Sequence, residues 1–224
     1  YLQAGTNPPT TLVSSNQAST SYATGPLNPS TTYYWYVVPR NICGAASGCS
    51  ASAFSFVTGT CTSDIYVTAT AGTLTGSYTT LKGSFDKIND GTHKGVISIS
   101  VGRNTTETAT AALNASGSGS ASYTSLLIQP CGGSYTVSGS LSGASVINLN
   151  GADNVTINGI NSGGNMLTIA NTNASAGSSA IQFINDATNN IVQNCNIYSS
   201  NTSTTSGTIV FSTTTGTTGN DNNT

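Results

Sequence analysis

The sequence predicts an all-β chain in two parts, a partial β-sandwich followed by a coil of short parallel strands. Three observations lead there: the composition, an alternating pattern near the start, and sequence matches at fixed offsets after residue 95. Thr, Ser and Asn number 37, 33 and 24 of 224 residues, while charged side chains make up 5%. Thr suits a pleated surface, Asn and Gly suit turns, and the helix formers Glu, Lys and Arg are scarce.

The low charge argues against several partners. With five basic residues and a net charge of −2, the chain lacks the clustered Lys and Arg that bind phosphates, so we expect no nucleic-acid partner. No apolar run approaches the roughly 18 residues of a membrane span, so we expect no transmembrane segment in this fragment. Tyr1 begins without the features of a signal peptide, which places any export signal upstream.

The cysteine spacing does not suggest a metal site, and we expect no cofactor. There is no Cys-x-x-Cys pair, and His93 lies far in sequence from every cysteine. Cys43 and Cys49 flank a short loop and are the predicted disulfide, which an oxidising compartment would permit; the alternative is two free thiols. Cys131 and Cys195 are expected to be small buried hydrophobic residues rather than a bridge, and the state of Cys61 is left open.

Residues 1–60 carry the spacing L-x-P-x-x-x-Y-x-W-x-V-x-x-x-N, which begins at Leu27. Its alternation puts three side chains on one strand face, and we expect that face to be core: Tyr33, Trp35 and Val37. The segment AFSFVT at 53–58 predicts the closing strand. The alternative for the aromatic run 33–36 is a platform on which sugars stack.

This spacing resembles the corner between strands E and F of fibronectin type III domains, where a tyrosine hydroxyl bonds back to the backbone. Tyr33 occupies that position. A complete sandwich of this type needs about 100 residues. The resemblance therefore implies a partial domain over 1–60 whose first strands are missing from the fragment.

Residues 61–76 are predicted to be a linker and a first strand, and 77–91 a helix. The helix prediction rests on apolar residues spaced i, i+4 and i+7: Leu81, Phe85 and Ile88. Ser77 or Thr79 is expected to cap its start and Gly91 to end it. A helix here would cap the strands that follow by covering their first exposed edge.

From 92 to 224, short apolar strands recur with fixed offsets. An offset of 34 aligns Ile147 with Ile181, and an offset of 28 aligns Ile181 with Ile209. An offset of 20 aligns Tyr135 with Val155. Such periods predict a right-handed parallel β-helix that continues beyond the fragment. An antiparallel sandwich is the alternative, although its strands usually recur every 8 to 12 residues.

Asn and Gly mark the expected bends of this coil because both tolerate left-handed backbone conformations. The bends are placed at Asn150-Gly151, Asn158-Gly159, Asn185-Asp186 and Asn189-Asn190. Stacked Asn side chains are expected to form amide ladders between coils.

Residues 73–224 resemble a β-helix module of very large surface proteins exported by the type IX secretion system of Bacteroidota. The stretches GADNVTI at 151–157 and ATNNIVQNCNI at 187–197 carry the resemblance. It implies a secreted, adhesin-like protein at the bacterial cell surface, with a role in adhesion, a surface layer or motility. The implied partners are further domains of the same chain, other surface proteins, possible glycans, and by analogy the outer-membrane secretion machinery.

Candidate chemistry is sparse in the coil. Asp153 and Asp186 are expected in matching bends, where they form a possible acid and base pair for polysaccharide cleavage; the alternative is that each caps its own turn. Tyr123 and Tyr198 are the possible glycan contacts. We therefore expect a structural or adhesive module rather than an enzyme, with a glycan-binding module or a polysaccharide lyase or hydrolase as the alternatives.

Overall fold

The computed structural model describes residues 1–15, 17–22, 24, 27, 31–41, 44–45, 52–58, 61–159, 166–212 and 219–224. The chain divides into two compact units, Tyr1–Thr60 and Cys61–Thr224. Strands dominate both, and the described residues contain one helix. The predicted all-β class with one short helix is therefore confirmed.

The described residues of the first unit form five short strands. They are β1 (Leu2–Ala4), β2 (Thr32–Trp35), β3 (Arg40–Asn41), β4 (Gly44–Ala45) and β5 (Phe54–Val57). Strands β1, β2 and β5 form an antiparallel sheet with β2 in the middle, and β3 pairs with β4. This antiparallel sheet is compatible with a fibronectin type III-like sandwich.

The predicted core face of β2 is buried only in part. Tyr33 is buried and stacks on Phe56, with ring centroids 5.7 Å apart. Trp35 is 38% exposed and Val37 70% exposed, so their assignment to the core was wrong. A side chain on a sheet is buried only where a second layer covers it, and in the described part of this unit that cover stops short of both residues.

The second unit begins with a cap made of β6 (Ile65–Gly72), β7 (Thr75–Tyr78) and the helix α1 (Leu81–Asn89). Thr80 caps the helix by accepting a hydrogen bond from Gly83 N at 3.0 Å, so the expected capping by Ser77 or Thr79 was wrong. The helix spans Leu81–Asn89, within the predicted range 77–91, and Leu81 is the first of its buried residues.

Twelve parallel strands follow the cap in the described residues, three to a coil. The first coil contains β8 (His93–Val101), β9 (Thr105–Glu107) and β10 (Ala111–Asn114), and the second β11 (Tyr123–Pro130), β12 (Tyr135–Gly139) and β13 (Ser145–Asn150). The third contains β14 (Val155–Asn158), β15 (Leu167–Asn171) and β16 (Ser179–Ile184), and the fourth β17 (Ile191–Gln193), β18 (Cys195–Ser199) and β19 (Ile209–Phe211).

Each coil contributes one strand to each of three parallel sheets. Sheet 1 holds β8, β11, β14 and β17; sheet 2 holds β9, β12, β15 and β18; sheet 3 holds β10, β13, β16 and β19. The hairpin of β6 and β7 extends sheet 1 with antiparallel pairing. This is a parallel β-helix, which rules out the antiparallel sandwich for this part of the chain.

The pairing of strands tests the predicted offsets. Ile147 pairs with Ile181 and Ile181 with Ile209, which confirms the offsets of 34 and 28. The offset of 20 was wrong, because Tyr135 pairs with Leu167. Strands β12 and β14 share the same alternation but belong to different sheets, so their similarity reflects a common strand pattern rather than stacking.

The core is a set of apolar columns that run through the coils. Leu113, Leu149, Phe183 and Phe211 form one column in sheet 3, and the last two rings stack with centroids 4.6 Å apart. Buried side chains of α1 join the same core at the first coil. Phe211 in the fourth coil is 55% exposed.

A disulfide joins Cys61 to Cys131, with Cα atoms 5.9 Å apart and a sequence separation of 70. The expectation that Cys131 is an unbonded hydrophobic residue was wrong. The two meet because Cys61 passes beside Gly102, directly after β8, and Cys131 N donates to Val101 O at 2.8 Å. The predicted pair Cys43 and Cys49 lies outside the described residues.

Replacing both Cys61 and Cys131 by Ser should lower the free energy of unfolding by about 4 kcal/mol, because a loop of 70 residues is then open in the unfolded chain. Urea denaturation followed by far-ultraviolet circular dichroism measures this loss. Cys195→Ala is the control, since it removes a thiol and keeps the bridge. Equal midpoints with and without reductant would contradict the prediction.

Candidate functional site

The two acidic candidates do not form a pair of aligned carboxylates. Asp153 is half-buried, and its Oδ1 accepts hydrogen bonds from Thr188 N at 2.7 Å and Thr188 Oγ1 at 2.8 Å. Its partner in the next coil is therefore Thr188, two residues beyond Asp186. Asp186 has a left-handed backbone with φ of 62° and forms part of the bend itself. Both residues lie in matching bends of successive coils, Asp153 between β13 and β14 and Asp186 between β16 and β17, and the later bend is the longer one.

Glu107 is an acidic residue that the sequence analysis missed. It is 1% exposed, and its two carboxylate oxygens accept hydrogen bonds from Leu81 N at 2.8 Å and Lys82 N at 3.0 Å. Thr105 Oγ1 donates to the same carboxylate at 3.2 Å. A carboxylate at a helix N-terminus satisfies free amides and interacts favourably with the helix dipole.

The structure, rather than a local sequence pattern, reveals the role of Glu107. In β9 the burial alternates, with Thr105 and Glu107 inward and Thr106 outward. A glutamate at an inward position requires a buried donor. The helix that supplies it lies 25 residues earlier in the chain, which no local pattern reveals.

His93 is fully buried and holds the cap to the first coil. Its Nδ1 lies 2.5 Å from Thr73 O, a carbonyl that only accepts, so Nδ1 carries the hydrogen. Nε2 then accepts from the Tyr78 hydroxyl at 2.6 Å. Burial raises the pKa of Tyr78, which keeps its hydroxyl protonated as this donor. This pair is satisfied within the fold.

Asparagine side chains form the predicted ladders along the outside of the coils. Asn150 Nδ2 donates to Asn114 Oδ1 at 2.9 Å, and Asn185 Nδ2 donates in turn to Asn150 Oδ1. Asn89 of α1 extends this row, because its Oδ1 accepts from Asn114 N at 3.0 Å. A second ladder joins Asn194 to Asn158 at 3.1 Å. The prediction of amide ladders is confirmed.

Other asparagines point inward at the corners between sheets. Asn171 is fully buried; its Nδ2 lies within 3.1 Å of three backbone carbonyl oxygens, and its Oδ1 accepts from two backbone amides. Asn190 is also fully buried, accepting from Val155 N and donating to Ala152 O. Asn223 repeats this role by accepting from Asn190 N at 2.9 Å. These amides replace backbone pairing where the strands turn.

The two candidate sugar contacts are not brought together. Tyr123 is 5% exposed, and its hydroxyl donates to Asn114 O at 2.6 Å. Burial raises its pKa above the ordinary value. Because its ring is buried, Tyr123 offers no ring face to a ligand. Tyr198 is 54% exposed and lies on sheet 2, whereas Tyr123 lies on sheet 1.

The first unit contains a groove of about 1200 Å³. Its lining combines aromatic, aliphatic and hydroxyl side chains from the unit's own strands and loops, among them Tyr1, Leu12, Trp35 and Phe56. The groove includes Trp35 and Val37 of the predicted core face and also Tyr36 and Val38, which alternate with them along the chain.

Among the described residues, Cys195 is the cysteine outside the bridge; it lies in β18 and is half-buried. Burial raises the pKa of its thiol to about 11, so the thiol is protonated at neutral pH and a poor nucleophile. In the part of the chain that the structure describes, no group of three or more His, Cys, Asp or Glu side chains is arranged to hold a metal ion. The helix found in the same part is too short to cross a membrane.

No family model, curated protein or solved structure matches this chain. The resemblances to fibronectin type III domains and to type IX surface proteins therefore stay predictions.

Asn171→Ala should lower the free energy of unfolding by about 3 kcal/mol, because several buried backbone groups lose their partners together. Asn196→Ala is the matched control: Asn196 lies in the next coil with its side chain exposed, and its loss should stay within about 0.5 kcal/mol. Urea denaturation measures both. Equal losses for the two variants would show that the buried amide has no special role.

Glu107→Ala should release the start of α1 and lower the free energy of unfolding by about 3 kcal/mol, since two helix amides lose a charged acceptor. Glu107→Gln keeps one acceptor oxygen and should lose less. Hydrogen exchange of the amides of Leu81 and Lys82 should quicken in both variants. The exposed neighbour Thr106→Ala is the control, and unchanged exchange in Glu107→Ala would refute the cap.

Proposed function

We propose that this chain is a non-catalytic structural module of a secreted cell-surface protein, in which the β-helix acts as a stiff spacer. The observation that carries this is the continuity of the inter-coil bonding. Parallel backbone pairing joins all four coils, and the amide row from Asn89 to Asn185 follows it along one corner. A coil bonded along its whole length resists bending, which is what a spacer needs.

The hydrogen bonds of the acidic and histidine side chains within the fold also support a structural role. Glu107 is engaged by the helix, Asp153 by the next coil, and His93 by Tyr78 and Thr73. An acid or base for catalysis has to reach a substrate proton directly or through one water. Glu107 and His93 are buried and already paired, so they support the fold rather than chemistry.

Secretion is supported by the Cys61–Cys131 bridge, since structural disulfides persist in oxidising compartments and are rare in the cytosol. The resemblance of the coil to type IX surface modules points the same way. On this proposal the partners are further domains of the same long chain and other surface proteins, with the secretion machinery included by analogy.

Glycan binding is the second candidate, and it rests on Tyr198. Its exposed ring lies in register with small residues of sheet 2, the exposed Thr106, the half-buried Ser138 and the buried Ala170. Small neighbours leave the ring face accessible to a sugar. Amphipathic rings beside hydroxyl groups are the chemistry that neutral sugars require, so this row is where a glycan would bind.

The spacer proposal predicts that the purified chain shows no saturable binding on a glycan array and no cleavage of acidic or neutral polysaccharides. A concentration series on the array and the release of reducing sugars measure these two outcomes. Binding that is lost in Tyr198→Ala and kept in Tyr66→Ala, another exposed tyrosine, would establish the glycan-binding alternative. Cleavage that is lost in Asp153→Asn would establish an enzyme.

A further inference from the structure

Tension between the two units has one covalent route into the β-helix. The units meet in sequence at the peptide bond before Cys61, so a pull on the first unit arrives at this residue. Cys61 is bonded to Cys131, which directly follows β11 in the second coil. The force can therefore pass through the disulfide without travelling along the chain between the two cysteines.

The bypassed segment is the part of the β-helix that a pull would otherwise open first. It comprises β6, β7, α1, the first coil and β11. Without the bridge, tension would reach β6 through Asp64, which is held by the bond from Gly102 N to Asp64 O at 2.8 Å and an ion pair with Arg103 at 3.3 Å that is largely exposed. An exposed ion pair contributes little against such a load.

The pairing geometry makes β6 easy to peel. Strand β6 pairs with β8 from Ile65 opposite Val101 onwards, and the load enters at that same end. Hydrogen bonds loaded from one end of a ladder break one after another rather than together. Once β6 leaves, the fully buried Ile65 and Val67 are exposed and the core beneath α1 opens.

The bridge delivers the load to a better supported place. Strand β12, which follows Cys131 and receives the load, is paired on both sides, with β9 and with β15. A strand between two neighbours has to break two ladders to leave its sheet.

We propose that the Cys61–Cys131 disulfide is a load bypass that carries tension from the first unit into the second coil and keeps the cap and first coil out of the force path. The inference rests on the proposed spacer role. The two fail separately, because glycan binding or cleavage would remove the spacer role, whereas the force path is measured directly.

Force spectroscopy on the full chain tests the bypass. One DNA handle is attached at the N-terminus and the other at an azide-bearing residue that replaces the exposed Ser142 in the turn after β12. This placement leaves the third and fourth coils outside the pulled segment. Wild type is compared with Cys61→Ser/Cys131→Ser. Both also carry Cys43→Ser, Cys49→Ser and Cys195→Ala, so that no other thiol can exchange and reduction acts on the Cys61–Cys131 bridge alone.

In the double variant we expect an additional lengthening of about 240 Å, from 70 residues at about 3.4 Å each, at a force below that which unfolds the first unit. The oxidised wild type should lengthen only by the unfolding of the first unit and by the short stretch from Cys131 to residue 142. Wild type that is folded and then reduced should behave like the double variant, which covers the case in which the variant does not fold.

Two results would overturn the proposal. In one, the cap and first coil of the double variant or of the reduced wild type hold until after the first unit has unfolded, so that the bridge protects nothing. In the other, the oxidised wild type also releases the extra length, which would mean that the bond does not carry the load.

Discussion

The pairing of each coil with the next is the interaction on which the second unit depends. A parallel ladder forms only if every coil returns the chain to the same register, so each bend has to close in a limited space. Asn154, Asn189 and Asn222 do this with left-handed backbones, at φ of 58°, 56° and 54°. Asparagine tolerates this conformation and also bonds across the coils, so the abundance of asparagine follows from the architecture.

The first coil has no coil before it to cover its core and its strand edges. Apolar residues of α1 cover its core. The hairpin of β6 and β7 covers its edge in sheet 1. Asn89 covers its edge in sheet 3 by donating a hydrogen bond to Ala112 O at 2.9 Å. Glu107 holds the helix in place from below. The disulfide then links the cap and the first coil to the second coil. The spacer role and the force path therefore both depend on the capped end of the β-helix.

Local patterns predicted the strands of the coil well and the residues at its corners poorly. Alternation identified the inward positions of β13, β16 and β19 because their side chains repeat at constant offsets. It failed for Asp153, whose partner depends on the number of residues in the following bend, and for Tyr123, whose ring is buried by the chain folding back onto Asn114. Trp35 was misplaced for a related reason, since burial on a sheet face depends on what covers it.

The sequence alone determined the all-β class, the position of the helix, the periodicity of the coil and the role of asparagine, because each is a property of neighbouring or regularly spaced residues. Only the tertiary structure decided that Glu107 caps α1, that His93 joins Tyr78, and that Cys61 reaches Cys131. Those contacts join residues 15 to 70 positions apart, and the distance between such residues is set by how the coils wind rather than by any spacing in the chain.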